Sequence, residues 1–497
     1  MSNINKILYG EKVNLKIKID NPDGGNAEIL IEKEDKTELT PGTSEIKITS
    51  SVRDGNINES LLIQEKWEDT KPKNKNDKLV ATVKYDGKAR KSGTLELFPK
   101  PQIILNFRRK DAYNGEYGFD WFRDKEDRVS YEDIVGTFDK REGDRTRVFT
   151  KSDAKIQIIK RTIYDETKFH WYDIKYDWYY KDNGDKERKY LNSILALYPN
   201  DEVTLSVRME VFEESLKSKV KEIELEFDDE YFEVTPDKIS IKSKGKHYIK
   251  DNIKIKCIKE FNSNKLIKAK ALDRIVGQIQ VLKNNKSNRY QANVVFVKVK
   301  TRINGAGSDN TGGTTGEEAF LKKYLKQALV KLELKEEVMD LTSDANFNSD
   351  YITTDSARRK VINNYPSGKP KIHNYLEPLF NTNNNAYRDY YKVFFFDERG
   401  GYWKSSPRRR YVGLNGGAAG IVAKSVVLYN THNTSTTTHE LLHAMGLYHT
   451  FSNRSRFTFD KNKTENIMDY SHNVGVDRIS TYQWQWDIIH GNVKKEP

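Results

Sequence analysis

Two stretches of two-residue alternation constrain this chain more than any other feature. Val13, Leu15, Ile17 and Ile19 alternate with polar residues, followed by Ile29 and Ile31 and then by Ile46 and Ile48, with Gly, Asn, Asp and Pro clusters between the runs. Val203, Leu205, Val207 and Met209 open a second such pattern, continued by Ile223, Leu225 and Phe227 and by Ile253, Ile255 and Cys257. Successive side chains on a strand point to opposite faces, so these patterns demand sheets with one apolar and one wet face. Their spacing predicts immunoglobulin-like sandwiches over residues 1–100 and 201–304. Between them, residues 101–200 carry GEYGFDWFRD (Gly115 to Asp124) and FHWYDIKYDWYY (Phe169 to Tyr180) and read as an aromatic-rich β module.

The periodicity changes after residues 305–316, GAGSDNTGGTTG, which hold no apolar side chain larger than alanine and read as a flexible linker. Phe320, Leu321, Tyr324, Leu325, Ala328, Leu329 and Leu332 then recur at helical spacing, and strong helix formers continue to about Leu341. Strand-like runs at Val393 to Phe396 and Ser425 to Tyr429 precede a second helix at Ser435 to Met445. The expected fold class is therefore multidomain, with N-terminal all-β modules followed by a C-terminal α/β domain over residues 317–497. A length of 497 residues accommodates three or four such units.

A single cysteine, Cys257, excludes disulfide frameworks, redox pairs, iron–sulfur clusters and cysteine-based zinc fingers within one chain. Its parity with Ile253 and Ile255 predicts a small buried side chain. Any metal site must then use histidine and carboxylate, and six of the nine histidines (His432, His439, His443, His449, His472 and His490) fall in the last 67 residues.

Five residues of HELLHAMGLYH make H-E-x-x-H-x-x-G-x-x-H: His439, Glu440, His443, Gly446 and His449. Chance would produce this spacing on the order of 10⁻⁵ times in such a chain. Residues four apart share a helix face, so His439 and His443 can meet one Zn²⁺. Gly446 suits a left-handed residue ending the helix, and the turn returns His449 to the same ion. Three ligands leave one position for water, and Glu440 beside the first ligand is suited to take that water's proton. This points to a zinc peptidase with one ion per chain and a protein or peptide substrate. A purely structural zinc is the competing reading, but such sites are closed by a fourth protein ligand and have no use for Glu440.

The segments HELLHAMGLYHTF (His439 to Phe451), NIMDYS (Asn466 to Ser471) and GGAAGIVAKSVVLYN (Gly416 to Asn430) resemble the metzincin metallopeptidases, and the pappalysins most among them. The resemblance covers about residues 317–497, with specific motifs only from Gly416 to Ser471. It implies a metzincin-like peptidase domain with His439, His443 and His449 as zinc ligands and Glu440 as general base. Met468 would form the Met-turn below the metal, and Tyr470 would bind the metal or hydrogen-bond the oxyanion. The chain departs from pappalysins in having no cysteine here and a short connection from His449 to Met468, so their specificity loop is not transferable.

The remaining features are weaker. His432, His472 and His490 read as incidental neighbours of the motif, and SPRRRY (Ser406 to Tyr411) as a solvated loop. Ser480-x-x-Gln483 reads as a capping box opening a C-terminal helix. Net charge is +12, spread as +7 over residues 1–316 and +5 over 317–497, which is not the clustered footprint of a nucleic-acid binder. No apolar stretch is long enough for a membrane span, and no Sec-type signal peptide is visible at the amino terminus. GFDWFRD looks like what occurs in bacterial proteins associated with contractile or type VI-like secretion. That likeness suggests a secreted or injected effector or toxin whose N-terminal β modules meet a secretion apparatus; the alternative location is cytoplasmic. The alternative function is a binding or delivery protein whose β modules carry the main role, with secondary or self-directed proteolysis.

Overall fold

Strands whose two faces differ and strands apolar on both faces are covered in different ways, and this chain contains both. A computed structural model describes residues 6–8, 12–20, 22, 24–34, 36–40, 42–64, 77–98, 103–140, 147–164, 190–212, 220–271, 274–305, 307–405 and 409–497. Strand dominates the described residues. In the first module Lys12–Lys18 pairs antiparallel with Asn56–Leu62. Asn26–Lys33 is paired on one side with Glu45–Ser51 and on the other with Asp77–Tyr85, also antiparallel. Ala27, Ile29, Ile31, Ile57, Leu61 and Leu79 close into one core between these sheets.

The second all-β unit differs from the expected pair of modules at 101–200 and 201–304. Ile103–Arg109 pairs with Glu202–Val211, and Ser193–Ala196 runs parallel to Arg274–Val281. Strands from both expected modules thus alternate in one sandwich, with sheets of six and four strands around a single core containing Phe107, Phe119, Leu205, Val207, Ile253, Ile255 and Ile279. Local alternation identifies strands but not their partners, which are chosen by cross-strand packing. Cys257 is fully buried in this core, its thiol donating to the Lys259 carbonyl at 3.3 Å. The stretch FHWYDIKYDWYY lies outside the described residues.

The boundary expected at residue 304 also moves. Tyr290–Thr301 is a central strand of the C-terminal sheet, parallel to Val330–Asp340 on one side and to Tyr391–Phe395 on the other. Ser425–Leu428 continues the parallel order, and Gly416–Ala418 closes that edge antiparallel. The 305–316 segment is stitched to this sheet instead of hanging free: Asn310–Thr311 pairs with Lys300 and Thr301, and Asp309 pairs with Arg302. The predicted helix from Phe320 to Leu341 stops early. Glu317–Gln327 is helical, Leu329 takes a positive φ of 53°, and Val330–Asp340 is a strand. Eleven residues in parallel register with Tyr290–Thr301 outweigh local helix propensity.

Val294 and Phe296 face a core shared with Leu321, Leu325, Leu441 and Leu442, whereas Val295, Val297 and Val299 face one shared with Leu376 and Phe380. Helices Glu317–Gln327 and Thr434–Ala444 therefore cover one face of the sheet and Ile372–Asn383 the other. This burial on both faces explains the uninterrupted apolar runs. Residues 122–140 and 147–164 contribute to the first of these cores. Val135–Lys140 pairs with Arg147–Lys151 and with Thr458–Phe459, and helix Asp153–Ile163 inserts Ile156, Ile159 and Ile163 into the core that also holds Phe459 and Met468. Each such isoleucine contributes roughly 1.5–3 kcal/mol. Among the described residues no helix is long and apolar enough to cross a membrane.

Candidate metal centre

Helix Thr434–Ala444 begins at Asn433, whose Oδ1 accepts from Thr436 N at 3.0 Å while Thr436 Oγ1 accepts from Asn433 N. This reciprocal cap fixes the first turn and so the phase of the face that follows. Leu441, Leu442, Ala444 and Met445 turn into the core against the sheet. His439 and His443 emerge on another face, only 4% and 9% exposed. The helix ends as expected: Gly446 has φ +99°, and a Cβ there would meet Asn492 Nδ2 at 2.7 Å. The chain doubles back, bringing His449 Nε2 to 3.1 Å from His439 Nε2 and 3.0 Å from His443 Nε2.

The tautomers follow from the neighbours. His439 Nδ1 lies 2.8 Å from the Ile467 carbonyl and His443 Nδ1 2.6 Å from the Leu447 carbonyl. A carbonyl only accepts, so each Nδ1 carries the proton and each Nε2 presents a bare lone pair. Burial lowers all three imidazoles, His439 well below its ordinary value and His449 to about 3. Three neutral rings converging on one point repel unless a cation sits between their nitrogens. Tetrahedral ligation at 2.0–2.1 Å separates ligand nitrogens by about 3.3 Å, so this donor set fits Zn²⁺. Among the described residues no fourth histidine, cysteine or carboxylate joins the cluster.

Glu440 keeps some contact with solvent, and one oxygen, Oε2, accepts from Ala418 N on the edge strand at 2.9 Å. Burial of its surroundings raises the carboxyl to about 7 against the opposing effect of that hydrogen bond. Met468 is fully buried beneath the helix, and its carbonyl accepts from Thr450 N. The ring of Tyr470 lies 4.8 Å from that of His449 and 5.8 Å from that of His439. Burial and then the charge of Glu440 push its phenol upward.

Three residues that the sequence reading missed hold the 462–470 turn. Both oxygens of Asp469 are taken by backbone N–H groups of Asn462, Thr464 and Tyr470. Asn466 Oδ1 accepts from Met468 N, while its amide donates to Gln485 on the C-terminal helix. Arg478 donates to the carbonyls of Ile467 and Asp469 and to Ser435 Oγ, tying the turn to the start of the histidine-bearing helix. Asn466 and Asp469 lie within NIMDYS, where a turn rich in Asx residues signals such bonds. Arg478 has no local signal.

The other histidines do not join the centre. His432 bridges the Tyr429 carbonyl and Glu317, and His490 stacks on Tyr290 at 3.9 Å. His472 lies one residue beyond the Tyr470–Ser471 pair, its ring 6.3 Å from that of Tyr470. In SPRRRY, Arg409 lies over Trp403 at 4.9 Å, and Ser406 to Arg408 fall outside the described residues. The C-terminal helix Gln483–His490 is present, but its start is capped by Gln485 Oε1 accepting from Tyr482 N and not by Ser480. GFDWFRD fastens the sandwich to this domain: Asp120 accepts from Gln483 N at 2.9 Å, and Arg123 donates to Glu465 at 3.0 Å.

No protein-family model and no curated relative matches the chain. Among solved structures it is similar to fibronectin(III)-like modules of Clostridium thermocellum CbhA, at 8% identity over 57% of this chain and 92% of that one, with a TM-score of 0.21. It is also similar to an α-2-macroglobulin from Escherichia coli, at 9% identity over 57% of this chain and 23% of that one, TM-score 0.14. The C-terminal domain of the Streptococcus agalactiae AgI/II polypeptide BspA gives 8% identity, 56% and 94% coverage, and a TM-score of 0.15. Scores this low decide nothing about fold or function.

Proposed function

We propose that this chain is a zinc-dependent endopeptidase, with one ion held by His439, His443 and His449. The observation that carries the reading is the approach of His449 Nε2 to within 3.1 Å of His439 Nε2 and 3.0 Å of His443 Nε2, the latter two left bare by Nδ1–H bonds to backbone carbonyls. The resemblance of His439 to Phe451 and of Asn466 to Ser471 to metzincins, and to pappalysins in particular, supports it. Zinc supplies an acidified water and polarises the scissile carbonyl when bound.

Glu440 is the general base. Its Oε2 is held by Ala418 N, which leaves Oε1 to take the proton of the attacking water and deliver it to the leaving amine. Met468 closes the floor with an apolar side chain, excluding water from below the histidines. Tyr470 packs against His449, and in this reading its hydroxyl donates to the developing oxyanion.

Metal analysis of purified full-length protein should find one zinc per chain. Glu440→Gln should retain it while lowering peptide cleavage by about 10²–10⁴-fold. Undiminished cleavage by Glu440→Gln, or a metal-free wild-type protein that cleaves, overturns the assignment.

A further inference from the structure

The rim of the histidine cluster carries a cation that has no acidic partner among the described residues. Phe451 stacks on His449 with centroids 4.8 Å apart and planes 9° from parallel, and Tyr470 stands edge-on to both rings. Lys461 Nζ lies 5.1 Å from the Phe451 centroid and 5.2 Å from that of Tyr470. The ammonium is thus held against the aromatic pair that packs on the third histidine, one ring away from the point where the three Nε2 atoms meet.

Lys461 is exposed, and among the described residues it makes no ion pair and no hydrogen bond. Asp469 spends both oxygens on the backbone of its own turn. Arg478, the other cation beside Tyr470, is committed to the carbonyls of Ile467 and Asp469. Two π faces restrict the lysine without neutralising it, so less rotamer freedom is lost when an anion arrives. An ammonium is a compact charge with rotatable donors, suited to reading the sign of a partner more than its shape.

We propose that Lys461 makes this centre selective for peptides carrying a carboxylate side chain close to the scissile bond. The proposal rests on the peptidase reading above and names its substrate class. An Asp or Glu there would close a charge-assisted pair with Lys461 beside the ligand His449; Asn, Gln or a basic residue would not.

Full-length, zinc-loaded protein would be assayed on matched peptides with Glu, Gln or Lys at each of the two positions on either side of the cleaved bond. The expected result is a kcat/KM about five- to tenfold higher for Glu than for Gln at one position, shrinking as ionic strength rises. Lys461→Met keeps the apolar stem and should erase the preference; Lys461→Glu should turn it toward Lys, with zinc content and Tm unchanged in both. Cleavage without acidic preference in the wild type overturns this inference and leaves the peptidase reading standing. A preference that survives Lys461→Met overturns the role of Lys461. If no peptide is cleaved by zinc-loaded wild-type protein, the peptidase reading falls and the selectivity with it.

Discussion

Strand Lys265–Ala271 in the sandwich and strand Tyr290–Thr301 in the C-terminal sheet are close in sequence and opposite in design. In the first, Ile267, Ala269 and Ala271 are fully buried while Lys268 and Lys270 reach outward to Glu226. In the second, Val294 to Val297 are all fully buried because helices cover both faces. A one-sided sheet can complete itself with a second sheet. A two-sided one needs helices, and one of those laid on it here, Thr434–Ala444, presents His439 and His443. The candidate chemistry therefore belongs to the doubly covered sheet, and the sandwich braces it through Asp120, Arg109, Arg123 and Glu465.

The comparison is broken most severely by dividing the chain where the sequence suggests. A fragment of residues 317–497 lacks Tyr290–Thr301 and the layer formed by residues 122–140 and 147–164, so it should neither fold cooperatively nor retain zinc, as read by circular dichroism and metal analysis. Recovery of a folded, zinc-binding fragment would show the brace to be dispensable. Next in size is a matched pair of core truncations. Phe296→Ala should cost about 3–5 kcal/mol and reduce zinc retention, whereas Ile267→Ala should cost about 2–4 kcal/mol and leave zinc occupancy of the folded protein unchanged. Equal effects on the metal would dissolve the distinction between the two sheets.

The junction gives a smaller and pH-dependent effect. Glu465 receives Arg109 at 2.9 and 2.7 Å and Arg123 at 3.0 Å. Burial opposes its charge, but the two guanidinium groups outweigh it and hold the carboxyl below its ordinary range. A carboxyl lowered in the folded state stabilises above its unfolded pKa, so this contribution is complete above about pH 5 and is lost as pH falls through the lowered value. Glu465→Gln should cost about 3 kcal/mol at neutral pH and flatten the acid limb of the stability curve, measured by denaturant titration. The smallest effect is expected at Cys257→Ala, about 1 kcal/mol of stability with no change in zinc content, since that thiol lies in the sandwich core.

The candidate site was far more legible than the architecture around it. His439, Glu440, His443, Gly446 and His449 are bound by local geometry: helix periodicity and one left-handed glycine bring the histidines together wherever the helix lies. NIMDYS likewise carries its own turn. Val330–Asp340 failed as a helix because its parallel partner is forty residues earlier in the chain, and the glycine-rich 305–316 segment failed as a linker because Thr301 and Lys300 pair with it. Arg478 and Lys461 were invisible because their partners are scattered in sequence.

The sequence by itself determined the short-range facts: which residues alternate, which recur at helical spacing, and which three histidines can share one metal. Only the tertiary structure decided which strands pair, that residues 122–140 and 147–164 belong with the C-terminal core, and that a lysine with no ion pair among the described residues stands at the rim of the histidine cluster. The physical reason is range. Periodicity and turn chemistry act over a few residues, whereas strand pairing, burial on two faces and the approach of charged groups depend on segments that meet only once the chain has folded.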